Sequence, residues 1–214
     1  MTEKIGEHIK AVIFDHDDTL VGTYSAKIEQ HQLIAREHYD KELSEDEIRT
    51  HWGKPVNDFL CLLYGTEDFD QAVAHTVAYR DRFPKKLFAA TIPTLKRLKD
   101  SGMLVGIVTS AIRDNLEHDL STHQVPRELV DYVQTLEDTD FHKPDPRVFE
   151  PTIEWLKERD VAPSEVVYIG DGIQDMQAAS GSGFSFIGVQ TGIITAEQFR
   201  AHGAKSVTGL DKLT

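Results

Sequence analysis

One cysteine, Cys61, stands among 214 residues. A lone thiol closes no internal disulfide and supplies no thiolate set for a metal cluster, so a reducing, cytoplasmic setting is expected. No apolar run approaches the ~20 residues that span a bilayer. The first ten residues alternate charge without an apolar stretch, unlike a secretory signal, and no membrane partner is expected. Basic clusters are missing as well: 23 Lys+Arg stand against 36 Asp+Glu, a formal net charge of −13. Such a surface repels a nucleic-acid backbone, and its plainer use is solubility. The ten His residues share no metal-ligand spacing with Cys61, which argues against zinc. Repeats and low-complexity tracts are absent. With 40% apolar and 28% charged residues, the chain has globular composition and a length between one domain and two.

What is present begins with Lys10-Ala11-Val12-Ile13-Phe14, an apolar run that stops abruptly at Asp15-His16-Asp17-Asp18. That is the pattern of a buried strand running into a polar loop. Residues 103–108, 166–169 and 184–189 repeat it, and 132–133 and 206–207 do so more weakly. Between them the spacing predicts helices. Residues 91–100 carry Ile92, Leu95 and Leu98, with Pro93 in the first turn and Gly102 just past the end. Residues 146–159 place Phe149, Ile153 and Leu156 on one face. Alternating strands and helices imply a parallel α/β sheet covered on both faces.

Residues 21–88 break this rhythm and contain no convincing strand. Helices are expected over 25–42, 55–63 and 70–82, with Ser44 and Glu47 forming a capping box. The expected organisation is an α/β core, 1–20 and 89–214, interrupted by an all-helical insert, 21–88. Such an insert is long for a loop and should pack as a small domain. Cys61, flanked by Leu60 and Leu62, is expected in the insert's core. His31, His38 and His51 are expected on its solvated helix faces, with substrate contact as the alternative.

Four polar elements each follow a predicted strand, and the C-terminal ends of such strands are where open α/β sheets bind ligands. They are Asp15-His16-Asp17-Asp18-Thr19, Thr109-Ser110, Lys143 before Pro144, and Gly170-Asp171-Gly172-Ile173-Gln174-Asp175. Together they supply carboxylates, hydroxyls and an ammonium. Clustered carboxylates suit a hard cation such as Mg²⁺, and positive charge is what an anionic phosphate ester needs before a carboxylate can attack it. Asp18, Asp140 and Asp145 read more simply as turn formers.

Taken in this order, the four elements resemble the haloacid dehalogenase-like superfamily, specifically its phosphatases. Asp15, Asp17 and Thr19 match the Asp-x-Asp-x-Thr motif, Thr109 the second motif, Lys143 the third, and Asp171 with Asp175 the Gly-Asp-x-x-x-Asp fourth. The match covers about 9–20 and 89–190. The resemblance implies a Rossmann-like parallel sheet with a helical cap of the C1 type, closing over the site. It implies Asp15 as the nucleophile that forms an aspartyl-phosphate, Asp17 as general acid and base, and Thr109 and Lys143 as phosphate-site residues. The Asp15 carboxylate, the Asp17 main-chain carbonyl and the Asp171 carboxylate would hold Mg²⁺, with Asp175 supporting them or Lys143. Ser110 and His16 are expected to contact substrate, His16 because the residue between the two Asp positions faces the site entrance. Lys54 is a further phosphate or carboxylate contact, or simply surface charge.

Asp17 argues against the dehalogenase and phosphonate-hydrolysing branches, which lack the second Asp. Sugar-phosphate mutases keep both Asp residues but usually carry Arg after a cap Gly, where Gly53 is followed here by Lys54. The expected function is Mg²⁺-dependent hydrolysis of a small phosphorylated metabolite, such as phosphoglycolate or a sugar phosphate. The alternatives are a mutase of the β-phosphoglucomutase type and a noncatalytic member that binds a phosphometabolite. The sequence is silent on oligomeric state.

Overall fold

A computed structural model describes residues 2–214. The chain begins with strand β1 (Ala11–Phe14), the two-residue strand β2 (Val21–Gly22), and helices α1 (Tyr24–Tyr39), α2 (Glu45–His51), α3 (Val56–Tyr64) and α4 (Phe69–Tyr79). There follow β3 (Lys86–Leu87), α5 (Thr91–Asp100), β4 (Leu104–Val108), α6 (Arg113–Thr122), β5 (Tyr132–Gln134) and α7 (Glu150–Lys157). The chain ends with β6 (Val166–Gly170), α8 (Ile173–Gly181), β7 (Ser185–Val189), α9 (Ala196–Ala201) and β8 (Lys205–Val207). Among the described residues two compact units result, one of residues 2–22 and 87–214, the other of residues 23–86.

The first unit is a six-stranded sheet in the order β5-β4-β1-β6-β7-β8, parallel throughout. This is the α/β class expected from the alternating runs. Residues of β1 divide by parity. Val12 and Phe14 join a core with Leu95, Leu98, Ile107 and Leu116, while Ala11 and Ile13 join one with Phe149, Leu156, Tyr168 and Ala178. Both faces are thus buried, which is why the strands read as continuous apolar runs. The segment 146–159, expected as one helix, is a 3₁₀ turn (Pro146–Phe149) leading into α7.

Register decides where the polar loops lie. Phe14 is level with Ile107 on one side and Ile169 on the other. The chain leaves β1 toward β4 and leaves β6 toward β7, so the connections diverge between β1 and β6. This is a topological switch point, where open α/β sheets place their ligands.

The second unit, four helices, buries Ile28, Ile34, Ala35, Ile48, Leu60, Leu63 and Ala72. The Ser44 capping box forms: its hydroxyl accepts from Glu47 N at 3.2 Å, and Ser44 N donates to Glu47 Oε2 at 2.8 Å. His31 departs from expectation. It is buried, with Tyr64 OH 2.7 Å from its Nδ1. Positions 28, 31 and 35 lie on one helical stripe, and Tyr64 supplies the polar partner that makes an imidazole tolerable there. Cys61 is half-buried rather than in the core. The region expected to lack strands also holds β2 and β3, which pair with each other. Among the described residues no helix is long and apolar enough to cross a membrane.

Candidate active site

Asp15 is the first residue past β1, and its main-chain N–H donates to Ile169 O at 2.8 Å, continuing the ladder to β6. Its side chain is buried and accepts at Oδ1 from Lys143 Nζ at 2.7 Å. Lys143 lies only 2.7 Å from Asp175 Oδ1 as well, and it donates to the hydroxyl of Tyr168 at 2.6 Å. Asp175 holds its place through Oδ2, which accepts from Gly172 N at 2.9 Å. Gly170 leaves room for this. A Cβ there would stand 2.6 Å from Asp175 Oδ2.

The electrostatics follow from crowding three carboxylates, Asp15 and Asp175 buried and Asp171 partly so, with one buried ammonium. Burial pushes Asp15 up to about 7, against the attraction of Lys143 and with the repulsion of Asp175. Asp171 is raised well above the usual carboxylate range by desolvation, then by Asp175 and Asp15. Burial opposes the charge on Lys143, yet Asp15 and Asp175 hold its pKa well above the ordinary lysine value. The pocket therefore carries more negative charge than its lysine offsets, and a cation relieves it.

Oxygens of Asp15, Asp171 and Asp175 lie within 4.8 Å of one another. Both Asp175 oxygens are engaged, one by Lys143 and one by Gly172 N. Asp15 and Asp171 thus remain as the carboxylates suited to a metal. An all-oxygen, negatively charged set fits a hard divalent cation such as Mg²⁺. The loop after β7 closes on this set, since a Cβ at Gly192 would stand 1.9 Å from Asp171 Oδ2. Thr191 donates its hydroxyl to Asp18 O, tying the same loop to the β1 loop. Asp18 has a positive φ of 53°, a conformation that Gly adopts freely and Asp tolerates.

Thr109 follows β4, one residue beyond the level of Asp15. Its hydroxyl oxygen accepts from Ala111 N at 3.1 Å, leaving its own proton to donate. Ser110 beside it is exposed. Asp17 is partly exposed, with Oδ1 3.6 Å from His16 Nδ1, and its charge helps to raise Asp15. Lys54 is exposed in the helical unit, between α2 and α3.

His16 does not stand at an entrance. Its ring is wholly buried, with Nε2 3.7 Å from Asp119 Oδ2 on α6. The loop turns back at once: Thr19, Leu20 and Val21 N–H groups all converge on His16 O. This turn gives His16 the interior and leaves Asp17 partly exposed.

Tyr168, Thr191, Gly192 and Asp119 were not singled out from sequence. Of these only Tyr168 left a signal, a hydroxyl inside an apolar strand, and its meaning required knowing what lies across from it.

The sheet order, the polar loops at one edge of β1, β4 and β6, and the buried Asp–Lys–Asp cluster define a hydrolase of the haloacid dehalogenase type. Residues 12–189 match the haloacid dehalogenase-like hydrolase family, and the chain belongs to it. Among curated relatives it is similar to pyrophosphatase PpaX of Bacillus velezensis, 28% identical over 206 residues that cover 94% of this chain and 91% of that one. A solved structure from Bacteroides fragilis, named for the same family, is 30% identical with a TM-score of 0.81, covering 94% of this chain and 98% of that one. A family IA hydrolase from Entamoeba histolytica shares the fold at 19% identity, with a TM-score of 0.80 and 96% of each chain covered.

Proposed function

We propose that the protein is a Mg²⁺-dependent phosphatase that hydrolyses a small phosphorylated metabolite through an aspartyl-phosphate. The observation that carries this reading is the Asp15 carboxylate at the end of the central strand. It is bonded through Oδ1 to a buried lysine, with Asp171 beside it. Oδ2 then attacks phosphorus and the bond from phosphorus to the leaving oxygen breaks. Asp17 donates its proton to that oxygen. In the second half Asp17 takes a proton from water as the water oxygen attacks the aspartyl-phosphate, and inorganic phosphate leaves with Asp15 restored. Lys143 favours the ionised form of Asp15 against its burial and orients it, and the Thr109 hydroxyl donates to a phosphoryl oxygen. Asp15, Asp171 and the Asp17 main-chain carbonyl would hold Mg²⁺, which supplies the positive charge that lets a phosphate dianion approach a carboxylate.

The substrate class is a small phosphate ester or anhydride. Similarity to PpaX proteins brings inorganic pyrophosphate beside phosphoglycolate and sugar phosphates. The test is Mg²⁺-dependent phosphate release from a panel of these compounds, with Asp15→Asn run in parallel. Release by the wild type alone supports the reading. Release by both proteins removes Asp15 from the chemistry, and release by neither removes the phosphatase reading.

A further inference from the structure

An ammonium group has three N–H donors, and Lys143 has three acceptors around it. They are Asp15 Oδ1 at 2.7 Å, Asp175 Oδ1 at 2.7 Å and the Tyr168 hydroxyl at 2.6 Å. Two are carboxylates from the reactive cluster, whereas the third is neutral and comes from the middle of β6. The Tyr168 ring is wholly buried and packs edge-on against Phe149, with centroids 4.9 Å apart. Its hydroxyl proton goes to Val108 O at 2.8 Å, the last residue of β4 and the neighbour of Thr109. With that proton committed, the phenol oxygen presents its lone pairs to Lys143, in a direction set by two strands.

We propose that Tyr168 is a positioning residue for the nucleophile: its hydroxyl holds the Lys143 ammonium on Asp15 Oδ1 and so leaves Oδ2 to attack. The proposal rests on the reading of Asp15 given above. A buried N–H without a partner is costly, so it turns to whatever acceptor is near. Without the phenol, the acceptors open to it include further oxygens of the carboxylate cluster. A Lys143 proton drawn onto Asp15 Oδ2 would tie up the attacking atom, and one drawn onto Asp171 would compete with the cation. A neutral acceptor satisfies the third donor without adding a fourth negative charge to the pocket.

Tyr168→Phe removes one oxygen and keeps the ring. The experiment compares wild type, Tyr168→Phe and Phe149→Leu on the best-hydrolysed compound of the panel. Steady-state turnover is measured together with rapid-quench rates of phosphoenzyme formation and breakdown, and the Tm of each protein. For Tyr168→Phe the expected result is phosphoenzyme formation slower by roughly 10- to 100-fold, the scale of a hydrogen bond to a charged group. Breakdown and KM should change by less than about threefold. Phe149→Leu disturbs the same ring packing without touching Lys143, so it should lower Tm and leave the formation rate within about threefold. Unchanged formation in Tyr168→Phe, or an equal loss in Phe149→Leu at equal loss of Tm, overturns the positioning role alone. A wild type that releases no phosphate from any compound overturns the phosphatase reading, and this proposal with it.

Discussion

Asp15 and Asp17 are two residues apart, and their surroundings assign them different work. Asp15 is buried against Lys143, and burial brings it to about 7, whereas Asp17 stays partly exposed beside His16. Asp15→Asn should abolish turnover with the Tm shifted by only a few degrees, read by phosphate release and thermal unfolding. Asp17→Asn should lower kcat by roughly 10²- to 10⁴-fold with little change in KM, because it removes proton transfer and leaves binding in place. Asp175 has a supporting position, holding Lys143 with one oxygen and Gly172 N with the other. Asp175→Ala leaves a buried ammonium short of one carboxylate and should cost about 3 kcal/mol of stability in a urea melt. At this scale the strand-end carboxylates were legible, because an apolar run that stops at Asp leaves that side chain no other place. The burial of His16 was not legible, since it depends on the loop turning back and on α6 bringing Asp119 beside the ring.

In the helical unit the elements explain the pH response. Burial lowers His31 to about 3, and its ring is neutral beside Tyr64 OH. An unfolded histidine titrates near 6.5, so between about 6.5 and 3 the unfolded chain binds a proton that the folded unit does not. Stability contributed by His31 is therefore complete above pH 6.5 and falls as the pH is lowered, by about 2 kcal/mol at pH 5. Hydrogen exchange of α1 and α3 amides should show this loss, and His31→Gln should flatten it. A chain of ring contacts runs through the same helices, from Tyr24 by Trp52, Phe59, His31, Tyr64, Tyr39, His75 and His38 to Tyr79. Helix periodicity made α1, α3 and α4 readable to within a few residues, whereas α2 was announced only by the Ser44–Glu47 capping box at its start. Which face of α1 turned inward at position 31 depended on α3 bringing Tyr64 across from it.

For the whole molecule, the uncompensated carboxylates link cation binding to stability. Mg²⁺ at about 100 times its Kd should stabilise the folded protein by about 2.7 kcal/mol, seen as a rise in Tm that EDTA reverses and Asp171→Ala removes. Because Asp15 and Asp171 are both raised without a cation, binding near pH 6.5 should also release protons, measurable with an indicator dye. A Tm indifferent to Mg²⁺ and to chelation would mean that the cluster does not hold the cation.

Patterning alone determined the parallel α/β sheet, its strands and the polar loops that follow them, because burying both faces of a strand demands an unbroken apolar run and a polar residue must wait for its end. Only the tertiary structure decided that Lys143 bridges Asp15, Asp175 and Tyr168, that Gly192 closes on Asp171, and that His16 and His31 turn inward. Those outcomes depend on atoms brought together from distant parts of the chain, and no local spacing encodes which buried polar group will meet which partner.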